Sequence, residues 1–145
     1  MMLLACSMFS ACHLSQQVRE GSRQYMGSPG TAGIHSCLIT GVVESIENPA
    51  EEPDSNSFCR KWSCYATISI EQVEHCGSGI TPAIPESGNI RIFFACSLSP
   101  TAQALPRMKT HFPGLKKGDR FKAYMEQRIQ PGDQVIYRVD AYQKL

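Results

Sequence analysis

From Cys37 onward, apolar and polar residues alternate with a repeat of about two, the period of an extended strand with unlike faces. Residues 62–75 carry the pattern most plainly. Cys64, Ala66, Ile68 and Ile70 share one side, Thr67, Ser69 and Glu71 the other, and the phase slips before Val73. Ahead of it, residues 37–47 are rich in β-branched side chains and change phase at Gly41, which predicts a strand bent by a bulge. A third strand is expected over residues 89–98, with Ile90, Ile92, Phe94, Cys96 and Leu98 facing inward and Phe93 outward. In a fourth, Phe121, Ala123 and Met125 oppose Arg120, Lys122 and Tyr124. In a fifth, over residues 134–142, Val135, Tyr137, Val139 and Ala141 alternate with Ile136, Arg138 and Asp140. The intervals are turn-like: an acidic loop at 48–57, a Gly/Pro-rich one at 77–88, and residues 99–114. Pro100, Pro106 and Pro113 leave this last stretch room for one short helical piece at 102–108.

Five strands, a glycine-bent first strand, a helical or irregular link after the third, and the lead-in Leu115-Lys116-Lys117-Gly118-Asp119-Arg120-Phe121 together resemble the OB-fold. The resemblance implies an all-β domain over residues 36–145, a five-stranded OB-like Greek-key β-barrel with one short helix or irregular link between strands three and four. A small β-sandwich has similar strand statistics. The barrel is preferred because the single long link falls where an OB barrel places its helix. The motifs name no family with a defined activity.

The first residues follow a different pattern. Residues 1–12 are apolar with small side chains at their end, and His13-Leu14-Ser15-Gln16-Gln17 turns abruptly polar, the contour of an export signal. Phe9-Ser10-Ala11-Cys12 looks like a bacterial lipobox, which implies cleavage before Cys12 and a lipid on its sulfur. Simple secretion, or a soluble chain with an apolar start, are the alternatives. Residues 13–35, with Gly21, Gly27, Pro29, Gly30 and Gly33 and no sustained period, read as a flexible tether. No apolar run reaches the ~20 residues of a membrane-spanning helix.

Composition narrows the chemistry. With 14 Lys+Arg against 13 Asp+Glu, the 145-residue chain carries a net charge of +1, which argues against a strongly basic nucleic-acid binder. Seven cysteines are the outlying number. If Cys6 leaves with the signal and Cys12 carries lipid, Cys37, Cys59, Cys64, Cys76 and Cys96 remain for an oxidising compartment, where pairing is the default. Antiparallel pairing of strands one and two brings Cys37 near Cys76. Cys59 and Cys64 flank a four-residue segment and can close a small loop. Cys96 is then the odd thiol, expected to be buried and apolar in behaviour. Metal binding is not expected: His35/Cys37, His75/Cys76 and Cys59/Cys64 lack the Cys-x-x-Cys spacing of a zinc knuckle. No nucleophile elbow, zinc-protease helix or phosphate loop is present in the sequence, so no enzyme activity, catalytic residue or cofactor is expected.

Charge is unevenly spread. Residues 1–104 hold five Lys+Arg and nine acids, and residues 105–145 hold nine and four. Lys116, Lys117, Arg120 and Lys122, with Tyr124 on the same strand face and Phe93 outward on strand three, form a candidate ligand-binding face. The expected function is a non-catalytic accessory module of the bacterial cell envelope, lipid-anchored through Cys12 and holding a protein, peptide or glycan. The alternative is single-stranded nucleic-acid binding by phosphate contact and base stacking on the basic fourth strand. Export disfavours it.

Overall fold

The strand pattern closes into a barrel in a computed structural model that describes residues 32–49 and 58–145. The leader, Cys12 and nearly all of the tether lie outside the described residues. Five strands run in the expected order: β1 Ser36–Ile46, β2 Tyr65–Glu74, β3 Gly88–Phe94, β4 Arg120–Gln130 and β5 Gln134–Lys144. A four-residue helix, α1 Thr101–Ala104, sits between β3 and β4. The strands form one closed, OB-like sheet in the order β1-β2-β3-β5-β4, with β4 returning to β1. All seams are antiparallel except β3–β5, a short parallel pairing of Ile92–Phe94 with Tyr137–Val139.

The inward positions of that alternation supply the core. Ile39 and Val43, Ala66 and Ile68, Ile92 and Phe94, Phe121, Ala123 and Met125, and Val139 are each at most 1 % exposed. The link after β3 crosses one end of the barrel and lays Phe112 against Tyr142, ring centroids 5.0 Å apart. Phe94 and Phe121 meet the same tyrosine edge-on. At the opposite end the β2–β3 loop is held by Gln127, whose side-chain amide accepts from the Thr81 N–H and donates to the Pro82 carbonyl, both at 2.8 Å. Ile84 of that loop is 6 % exposed and joins the core.

Gly41 shows why the first strand needs its bend. A Cβ at this position would fall 2.6 Å from the Ile68 side chain and 3.1 Å from the Ser69 carbonyl oxygen, so a side chain there would meet β2. The β1–β2 register shifts beside it, leaving Glu71 as an extra residue on β2, and shifts again around Glu44 on β1. Such bulges increase local strand bending and help a sheet curl closed.

Two disulfides fasten the barrel: Cys37–Cys76 joins the start of β1 to the residues after β2, and Cys59–Cys64 closes a tight loop before β2. That loop delays β2 to Tyr65, three residues later than the alternation suggested. β3 ends at Phe94 rather than residue 98, because the backbone turns at Ser97, whose φ is 75°. The Ser97 hydroxyl secures the turn by donating to the Ser63 carbonyl and accepting from the Ser99 N–H. Leu98 still reaches the core at 2 % exposure. Cys96 does so only in part. It lies half-buried in the turn against the core, its thiol 3.5 Å from the Asp140 carbonyl oxygen. The helix stops short of residue 108 because Pro106 lacks the N–H that a further turn requires. β5 runs two residues past Tyr142.

Candidate functional site

The outward residues of β4 carry the expected cations, and β1 separates them from two acids on β2. Arg120 pairs with Glu71 at 2.5 Å, Lys122 with Glu74 at 2.9 Å, and Thr40, on the intervening strand, is 4 % exposed. The Lys122 ammonium holds the Glu74 carboxyl below its ordinary range by hydrogen bonding to it. Glu71 is the bulged residue of β2, so the irregularity that bends the sheet also presents this carboxylate to Arg120. Lys116 and Lys117 lie in the loop before β4, where the Asp119 carboxylate accepts from the Lys116 N–H and from Lys144, which holds its carboxyl low. Arg120, Lys122 and Tyr124 thus share the outer side of one strand. Phe93 is on β3, with β5 between it and Tyr124.

A second arrangement spans the neighbouring strands. Tyr65 on β2 and Phe93 on β3 are register partners, with ring centroids 5.1 Å apart. The Arg91 guanidinium lies 3.9 Å over the Tyr65 ring and is gripped by both Glu47 carboxylate oxygens at 2.7 Å. The Arg138 guanidinium on β5 lies 5.7 Å over the Phe93 ring and pairs with Asp140 at 2.6 Å. Each contact joins a cation to an aromatic face, a geometry worth ~0.5–1 kcal/mol at exposed sites. Together they form an aromatic–arginine ladder across β2, β3 and β5. Sequence reading found only Phe93. The parity of β2 and β3 already turned Tyr65 and Arg91 outward, but their meeting depended on strand register.

Beyond Arg138 the outer wall opens into a groove of about 350 Å3, lined by Ile34, His35, Tyr124, Glu126, Arg138, Asp140 and their neighbours. Its origin is a bulge in β5: Ala123 pairs with Tyr142 and Met125 with Val139, so Tyr124 alone faces both Asp140 and Ala141. The opposite wall is the segment leading into β1. The N–H groups of Gly77 and Gly79 donate to the Ser36 and Ile34 carbonyls, His35 Nδ1 donates to the Gly79 carbonyl, and the Gln127 N–H donates to the His35 carbonyl. Only glycine fits at position 77, where a Cβ would overlap the Gly33 and Ile34 backbone. The Cys37–Cys76 bridge pins the same wall. The Tyr124 hydroxyl is the one buried side-chain polar atom among the described residues that lacks a hydrogen-bond partner.

Among the described residues no group of three or more His, Cys, Asp or Glu is placed to hold a metal ion. No helix among them is long and apolar enough to cross a membrane. Burial, then the nearby Asp140 charge, pushes the Cys96 thiol above its usual range, the reverse of an activated nucleophile. No family model, curated protein or solved structure matches the chain.

Proposed function

We propose that this protein is an exported, lipid-anchored OB-fold module that binds its ligand on the outer face of the barrel and carries out no chemistry on it. The supporting observation is the pair of disulfides, Cys37–Cys76 and Cys59–Cys64, in a small domain. Such bridges persist in extracytoplasmic compartments and are rare in a reducing cytosol. They agree with the apolar leader and the lipobox-like Phe9-Ser10-Ala11-Cys12. The binding surface is the Tyr65–Phe93 ladder together with the adjoining groove. Its partner is a protein, peptide or glycan, and the tether gives the barrel reach from the envelope surface. The strand-four alternative, single-stranded nucleic acid, requires Arg120 and Lys122 to exchange Glu71 and Glu74 for phosphates.

Metabolic labelling with a clickable fatty acid, on the native chain and on Cys12→Ala, tests the reading. Label on the native protein alone, in the membrane fraction, is expected. An unlabelled native chain that fractionates with the cytoplasm would sink the proposal and promote the nucleic-acid alternative.

A further inference from the structure

We infer that the groove beside Tyr124 is a subsite for a neutral, polyhydroxylated ligand, one pyranose unit of a glycan. The inference rests on the binding-module reading and names a ligand class for part of that face. Size is the first argument: about 350 Å3 lies at the small end of ligand sites and suits one substituted six-membered ring. The lining is the second. Ile34, which is 66 % exposed, and the Tyr124 ring offer apolar surface to the C–H face of a sugar. The carboxylates of Glu126 and Asp140 and the guanidinium of Arg138 stand among them. Carboxylates only accept and a guanidinium only donates, so a ligand that satisfies both must donate and accept, as a hydroxyl does.

Charge supplies the third argument. Asp140 is already paired with Arg138 at 2.6 Å and Glu126 with Arg128 at 3.0 Å. An ionic ligand would have to displace one of these partners. A neutral polyol need not, because each carboxylate has about four lone-pair sites, and one ion pair leaves acceptor capacity free. The wall is held in advance by the Cys37–Cys76 bridge and the Gly77 and Gly79 hydrogen bonds, so little ordering is left for the ligand to impose.

The test titrates the isotope-labelled, oxidised full chain with methyl glucoside, N-acetylglucosamine and diacetylchitobiose, and with inorganic phosphate and tetramethylammonium chloride as ionic probes. Saturable amide shifts centred on Ile34, His35, Tyr124 and Ala141 are expected with at least one sugar and with neither ion. Arg138→Ala and Ile34→Asp, the latter at an exposed position, should each weaken that binding about tenfold, while Gln103→Ala, exposed on α1, leaves it unchanged. Saturable shifts with an ion and no sugar overturn the inference. So do sugar shifts confined to the Tyr65–Phe93 ladder, undiminished binding by both groove variants, and silence with every probe. A lipid-labelled chain with a silent groove keeps the module and loses the subsite. An unlabelled chain that binds sugar in the groove keeps the subsite and loses the anchor.

Discussion

Removing one bridge at a time sets two physical effects against each other. Cys37→Ala/Cys76→Ala opens a cross-link with a sequence separation of 39, and Cys59→Ala/Cys64→Ala one with a separation of 5. By loop-closure entropy the first restrains the unfolded chain by about 4 kcal/mol and the second by about 2 kcal/mol. Packing runs the other way. Cys59 and Cys64 are both 2 % exposed, whereas Cys37 is fully buried and Cys76 is at the surface. The short-loop variant therefore loses one more buried sulfur, a difference of about 1 kcal/mol. Loop closure should win, leaving the long-loop variant less stable by about 1 kcal/mol. Urea unfolding of the three oxidised proteins, followed by circular dichroism at equal ionic strength, measures the order. A short-loop variant equal to or less stable than the long-loop one would refute the reasoning, because packing would then outweigh the restraint on the unfolded chain.

Two further outcomes follow from hydrogen bonds at the α1 end of the barrel. Tyr142→Phe removes the acceptor of the Gly114 N–H, made at 2.9 Å, and should destabilise the fold by ~1–3 kcal/mol in denaturant titration. Burial also pushes the Tyr142 phenol up to about 12. Its contribution is thus complete below the unfolded value of about 10 and is lost as pH rises toward the folded one, so the variant's melting temperature should fall less across that alkaline window. At the acid end, Asp119 is held low by Lys144 and the Lys116 N–H. Its contribution is present above the unfolded value of about 4 and disappears as pH falls through the lower folded value. Asp119→Asn should therefore show a smaller drop in melting temperature on acidification than the native chain, and an equal drop would contradict the assignment.

Much of the barrel is written in short-range pattern. Inward residues such as Ala66 and Ile68, or Phe121 and Ala123, are set by a two-residue period that any extended strand obeys, so local polarity suffices to assign their faces. The same holds for the bend at Gly41 and for the turn carrying Lys116 to Asp119. The bridge Cys37–Cys76 was legible because antiparallel pairing of consecutive strands constrains which ends meet. Cys96 is half-buried against the core rather than fully inward because the Ser97 turn is secured by a hydroxyl reaching Ser63, 34 residues away, and alternation carries no trace of it.

The sequence by itself therefore determined the strands, their inner faces and the cysteines at their ends, since each depends on residues a few positions apart. The tertiary structure alone decided which outward side chains meet. Tyr65 reaches Phe93, Arg120 reaches Glu71, and Tyr124 faces the Asp140–Ala141 bulge only through register and closure. A one-residue slip would turn every one of these side chains to the other face. The ladder and the groove are products of that registration across strands distant in the chain.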